Sequence, residues 1–466
     1  MQEPDGRHLP RLIRFMARIL TCSLAGTGML SAQISIPIEQ DTLPNGLMVI
    51  LHRDATVPVA AVMVMYHVGS KNEKPGRTGF AHLFEHVMFK GSEHIGDGEH
   101  FKLLQEIGAN INGSTTEDRT NYFEVVPANS LELALFMESD RMGFLLPALT
   151  QQKLDNQRDV VKNERRQNYD NQPYGTAEEK IAKALYPAGH PYSWPVIGYM
   201  EDLSAATLGD VTEFFRLYYA PNNACLVVTG NFDPAQVKGW IRKYFGDIPR
   251  GKSPERPAPV PAHLTGDVLL TAEDNVQLPR LYMYWPSGKG FTRQDAVLDV
   301  FTDILSSGKN SRLYRALVYD QQVAQSVSAS QEGSELDGIL GIQVTAKPGK
   351  TLAQMESAVN AVLNGMLEKG VTEHEIQTAL NSKEAQLVGR LATVLGKASS
   401  LATFHTLAGN AGLFNKEFER FQGITPAEVL AAGRKVCTGH KVVLSVVPRG
   451  KRELAAGEPS GAEIRP

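Results

Sequence analysis

Thr207-Leu208-Gly209-Asp210-Val211 and Thr425-Pro426-Ala427-Glu428-Val429 carry the same start signal, a Thr followed three residues later by an acidic side chain. That spacing lets the Thr hydroxyl and the carboxylate satisfy each other's backbone amides at a helix N-terminus. After each predicted helix comes an apolar, strand-like run, Cys225 to Thr229 in one case and Val442 to Val447 in the other. The interval from cap to strand is nearly the same both times. The chain therefore reads as two homologous halves of about 200 residues each, a usual domain size.

The rest of the chain supports α+β halves. Leu47 to Val68 is strand-like and rich in Val and Met, and Thr78 to Phe89 and Gly98 to Ile107 follow a helical period. Two extended stretches follow, Asn110 to Thr116 and Thr120 to Val126, and then long helical segments over Ser130–Leu146 and Gln151–Tyr169. Such a mixture of blocks points away from a regular βαβ wind. A Pro-rich stretch near the middle, Pro249 to Pro261, reads as an exposed, stiff linker.

The expected organisation has five parts. Residues 1–32 form a secretory signal, 33–250 an N-terminal domain, 251–266 the linker, 267–450 a second domain, and 451–466 a disordered polar tail. The signal reading rests on Arg11, Arg14 and Arg18 ahead of a short apolar run, Ile19 to Leu30, that ends in Ser31-Ala32-Gln33. That run is too short to span a bilayer in the mature chain. Export, most simply to a periplasm, is the localisation this predicts. Cleavage would leave Cys225 and Cys437, two small buried hydrophobes with no disulfide framework. With 47 basic and 51 acidic residues the net charge is -4, and no Lys/Arg-rich tract invites nucleic acid.

His82-Leu83-Phe84-Glu85-His86 carries the chemistry. On a helix, residues i and i+4 share a face, so His82 and His86 can aim at one ion. Glu85 lies on the same side, close enough to take a proton from water without being a ligand. Three protein ligands and one open position make a catalytic zinc site. Glu164, in Arg158-Asp159-Val160-Val161-Lys162-Asn163-Glu164, offers a third ligand, although by composition it is an ordinary exposed helix residue. His94 and His100 are also near, in a Gly-rich connection that reads as surface.

The chain resembles the pitrilysin-like, or inverzincin, peptidases, which include insulin-degrading enzyme and mitochondrial processing peptidase, and it looks most like their short bacterial members. The resemblance runs from about residue 40 to 448. Its motifs are H-L-F-E-H at 82–86, R-D-V-V-K-N-E ending at Glu164, H-P-Y at 190–192, V-I-G at 196–198, Y-Y-A-P-N-N at 218–223, G-N-F at 230–232 and L-Y-R-A-L at 313–317. It implies His82, His86 and Glu164 as the ligands of one Zn2+ per chain, Glu85 as general base, and two α+β halves forming a clamshell around a chamber. It also implies peptide substrates, added as a strand to Asn112, Gly113, Ser114 and Thr115.

Two departures from the family pattern stand out. The position seven residues before the third ligand, often Glu, is Gln157, which can tune the metal's surroundings but cannot act as an acid. The Arg and Tyr that single-chain members bring from the second half fall on Val318 and Gln325; Arg312 and Tyr319 have the same spacing but only after a shift of six residues. The second half also lacks the zinc motif, reading Val300-Phe301-Thr302-Asp303-Ile304. The resemblance thus implies a zinc endopeptidase paired with a homologous, metal-free subunit that supplies Arg and Tyr, or otherwise a homodimer. Its alternatives are a subunit that processes leader or targeting peptides, and a non-catalytic assembly subunit of the same fold.

Overall fold

The computed structural model describes residues 35–258 and 260–458. The predicted signal segment, and with it the export reading, lies outside the described residues. Among the described residues eleven strands run in chain order: β1 Glu39–Thr42, β2 Met48–Arg53, β3 Val59–Tyr66, β4 Asn110–Thr115, β5 Thr120–Pro127, β6 Ala224–Gly230, β7 Val268–Asp274, β8 Arg280–Pro286, β9 Ala324–Gly333, β10 Gly338–Ala346 and β11 Val442–Pro448. They make two mixed sheets, ordered β1-β2-β6-β3-β5-β4 and β7-β11-β8-β10-β9.

The duplication shows in the topology. β6 is parallel to β2 and antiparallel to β3, and β11 is parallel to β7 and antiparallel to β8. Both late strands sit inside their sheets with both faces covered, which is why their sequences are almost uninterrupted apolar runs. Ahead of them, Thr207 and Thr425 each close a capping box, on helices Leu208–Tyr218 and Pro426–Cys437. Cys225 is buried in β6, and Cys437 ends the second of these helices; both are free thiols.

Each sheet packs one face on helices of its own half. The other face is covered from across the molecule. Helix Val394–Ala408, from the second half, lays Val394, Ala398, Leu401 and Ala402 on Ile50, Ala61, Met63, Met65 and Val227 of the first sheet. Helix Ala177–Leu185 does the converse, placing Ala177, Ile181 and Leu185 on Leu270, Tyr282, Tyr284 and Leu444 of the second. The Thr229 hydroxyl donates to the Val394 carbonyl at 2.6 Å, and Lys397 pairs with Asp54. From Ile36 onward the chain clusters as one unit.

Two expectations change. The Pro-rich stretch is irregular but strapped down: Arg256 donates to the His67 carbonyl and to Asn223, and the Ala262 amide donates to Asp337. Lys451 to Gly457, expected to be disordered, also packs. Leu454, Ala455 and Ala456 sit against the second core, and Arg452 pairs with Glu273 at 2.5 Å. Small apolar residues hidden in a polar stretch found the rim of the second sheet. Residues 459–466 lie outside the described residues.

Because the two halves share cores, Leu401→Ala should cost about 2–5 kcal/mol and keep a single unfolding transition in urea. A second transition in that variant, with the first sheet unaffected, would show that the exchanged helix does not couple the halves.

Candidate metal centre

Helix Phe80–Val87 buries Phe80, Ala81, Leu83, Phe84 and Val87, so His82, Glu85 and His86 are left on its other face. Its N-cap, Gly79, has φ 84 and no side chain to cap with. A Cβ there would meet the Ile197 carbonyl at 2.8 Å. The buried Glu73 carboxylate does the capping instead, accepting from the Gly79 and Ala81 amides at 2.8 Å each. Two phenols, Tyr122 and Tyr219, donate to the Phe84 and Ala81 carbonyls further along.

Glu164 comes from helix Gln151–Arg165, which Thr150 caps and which buries Leu154, Gln157, Val161 and Arg165 on one side. The chain then makes a π-turn, Arg166–Asp170, of the kind enriched at functional sites. Arg165 fixes that end through the Gly198 carbonyl and Glu179.

The structure brings three candidate ligands together. The Glu164 Oε2 atom is 3.1 Å from His86 Nε2 and 3.8 Å from His82 Nε2. The rings of His82 and His86 are 4.9 Å apart. One ligand atom from each of the three lies within 4.8 Å of the others. Burial, then the nearby His86, pushes His82 down to about 4, so its imidazole is neutral with a lone pair to offer. The hydrogen bond to His86 holds Glu164 below the usual carboxylate range, and Asn168 adds another. Two imidazoles and one carboxylate that find partners chiefly in each other form a donor set suited to zinc.

Glu85 is placed beside them. The Thr115 hydroxyl donates to its Oε2 at 2.6 Å, and burial raises its affinity for a proton. Thr115 belongs to β4, the outermost strand, which pairs only with β5. Gly113 faces the same way, and a Cβ there would come 3.2 Å from Glu85 Cγ. Ser114 and Asn112 alternate to the opposite face; Ser114 bonds Asn121 and Arg119, while Asn112 Oδ1 accepts from the Gly113 amide. Gln157 is buried two turns before Glu164 and makes no hydrogen bond to the three ligand candidates.

Residues 48–193 match the family model described as Insulinase (Peptidase family M16), and residues 205–383 match that of the Peptidase M16 inactive domain. The chain belongs to the M16 peptidases. Among its relatives, a zinc protease named PqqE from Helicobacter pylori is 28% identical over 357 residues, covering 76% of this chain and 80% of its own. A probable mitochondrial-processing peptidase subunit beta from Arabidopsis thaliana is 23% identical, with 66% of this chain and 59% of its own covered. A solved protease from Helicobacter pylori superposes with a TM-score of 0.82 at 25% identity, over 89% of this chain and all of its own.

The second M16 half holds no comparable cluster of metal ligands among the described residues. Its helix Arg293–Ser306 buries Val300, Phe301, Thr302 and Ile304. Asp299 and Asp303 face helix Glu373–Leu391, where the Lys383 ammonium sits 3.2 and 3.3 Å from them. Burial pushes Asp299 up to about 6. Val318 packs against the second core and Gln325 is exposed on β9. Arg312 is held within its own half, gripping both Glu375 oxygens at 2.7 and 2.8 Å and the Gly370 carbonyl, while Tyr319 is exposed.

Sequence reasoning missed Glu73 and Asn168, whose roles depend on chain segments meeting in space. It also misplaced His100. Far from being at the surface, His100 is fully buried, edge-on to Phe89 and beside the Glu124–Arg141–Glu138 ion cluster. Its i+4 neighbour Leu104 shares that buried face. His94 stays half-exposed, paired with Asp140.

Purified protein should carry about one zinc per chain, and His86→Ala should lose it. Elemental analysis that finds full zinc in that variant would remove His86 from the ligand set.

Proposed function

We propose that this chain is a zinc-dependent endopeptidase that cuts unfolded peptides, with His82, His86 and Glu164 holding one zinc. The convergence of those three side chains beside Glu85 carries the reading. Zinc there would supply a Lewis acid for a peptide carbonyl and acidify water to a pKa of about 7. Glu85 takes the proton from the attacking water and delivers it to the departing amine. Thr115 orients it through the 2.6 Å hydrogen bond. The Thr116 amide donates to the Arg119 carbonyl across the β4–β5 pair, so by alternation Gly113 and Thr115 are the residues whose main chain faces the free edge. They are where an extended peptide adds as a strand.

Where the family pattern would place an Arg and a Tyr, the second half has the apolar Val318 and the exposed Gln325, and Arg312 is engaged by Glu375. This supports pairing with a homologous, metal-free subunit that carries the Arg and Tyr, over a homodimer. The basic residues Arg11, Arg14 and Arg18 ahead of the apolar run Ile19 to Leu30 support export to a periplasm.

A second reading, removal of leader or targeting segments, has one observation in its favour. A cavity of about 250 Å³ opens between helix Ala177–Leu185 and the β9–β10 turn, walled by Tyr169, Tyr186, Tyr192 and Trp194 and lined by Glu117, Glu178 and Glu332. Burial raises Glu117 and Glu178, and Glu332 adds to both. Targeting segments are rich in Arg and poor in acid, which suits such walls.

Glu85→Gln should cut turnover of a flexible peptide by about 10²–10⁴-fold with zinc retained. Wild-type turnover in that variant would reduce Glu85 to a helix-surface carboxylate. In the same assay the pure chain should gain activity on addition of the metal-free homologue. Full activity alone, lost on Arg312→Ala or Tyr319→Phe, would make the homodimer correct. A preference for Arg-rich over Glu-rich peptides, erased by Glu178→Gln, would favour processing; equal cutting of both would favour general degradation.

A further inference from the structure

We propose that Glu335, on the turn between β9 and β10, is a positioning residue for the edge strand β4 of the other half. This rests on the reading of β4 as the strand that receives the peptide. The second half, lacking a metal site of its own, would thereby act on the first.

The turn that ends β4, Thr116 to Arg119, is gripped from two directions. From one side comes the segment after β3. The Ser70 amide donates to the Thr116 carbonyl at 3.2 Å and the Lys71 amide to the Glu117 carbonyl at 3.0 Å. Gly69 lies so close to both carbonyls that a Cβ would come within 2.3–2.4 Å of them. From the other side comes the β9–β10 turn. The Glu335 amide donates to Asp118 Oδ2 at 2.9 Å, and the Leu336 amide donates to the Tyr192 hydroxyl, which itself donates to Asp118 Oδ1 at 2.6 Å.

Lys71 joins the two grips. Its side chain has no exposure, and its ammonium donates to Asp118 Oδ1 at 3.0 Å and to Glu335 Oε2 at 2.5 Å. His67 Nε2 donates to the same Glu335 oxygen at 2.6 Å. A buried charge keeps its geometry because every displaced contact leaves it unpaired. The Glu335 carboxylate is the one group from the second half that binds this ammonium among the described residues.

The link to the chemistry is short. Only two residues separate Asp118 from Thr115, whose hydroxyl holds Glu85. A shift of the turn therefore moves both the main chain offered to a peptide and the partner of the base. Small misplacements of this kind cost rate far out of proportion to their size.

The experiment uses the zinc-loaded enzyme in its active assembly, as wild type, Glu335→Ala and Glu335→Asp. Two substrates are compared: a flexible peptide of about ten residues, long enough to pair along β4 at ~3.3 Å per residue, and a blocked dipeptide too short to do so. Glu335→Ala should raise KM for the long peptide about tenfold or more, lower the dipeptide's kcat/KM by much less, leave the zinc content unchanged, and speed amide exchange at Ser70 and Lys71. Glu335→Asp should recover part of the loss. Equal losses on both substrates, or no loss with unchanged exchange, would overturn the proposal. If Glu335→Ala fails to fold, Glu335→Gln is read by the same criteria. Should wild type cut neither substrate, the peptidase reading falls, while unchanged exchange at Ser70 and Lys71 would independently sink the positioning claim.

Discussion

A sheet flanked by its own helices on one side still has a second apolar face, and this molecule covers both such faces by exchange. Helix Val394–Ala408 closes the first sheet and helix Ala177–Leu185 closes the second. Apolar burial is worth roughly 25 cal/mol per Å², so neither half is complete alone. The exchange also sets where chemistry can happen. With both faces of each sheet occupied, the first sheet meets solvent at its edges, and the helix that carries His82, Glu85 and His86 lies beside the edge strand β4.

The two halves answer the same electrostatic problem differently. Each packs a helix that carries polar side chains against a second helix. In the first half, His82 and His86 meet Glu164, leaving a set of lone pairs directed at one point. In the second, Asp299 and Asp303 meet Lys383, whose ammonium already supplies the positive charge. One arrangement has donor atoms gathered without a cation among the described residues, and the other has built its own. That difference separates the half with the candidate metal centre from its partner more clearly than the fold does.

Much of this was legible in the residues. Thr207 and Thr425 announced their helices because a capping box is local, needing only a side chain and the amide three residues on. His82, Glu85 and His86 were readable for the same reason: one turn of helix puts them on one face. Glu164 required the family resemblance, since nothing nearby distinguishes it from other exposed helix carboxylates. Contacts between distant segments left no local mark. Glu73 caps a helix whose own N-cap is glycine, His100 is buried beside an ion cluster from β5 and helix Leu131–Ala148, and the Pro-rich stretch is tied to both halves. The exchange of covering helices is likewise invisible to periodicity, which shows that a helix has an apolar face but not which sheet it will meet.

The position of β6 sets the order of folding. It lies between β2 and β3 in the sheet but follows them by most of a domain in the chain, and the helix that seals that sheet arrives later still. Contacts so remote in sequence make folding slow, because each loop must close before its pairing returns any stability. During synthesis β2 and β3 emerge long before the strand that belongs between them. Their apolar edges are open to mispairing in that interval, the usual setting for aggregation and for chaperone capture.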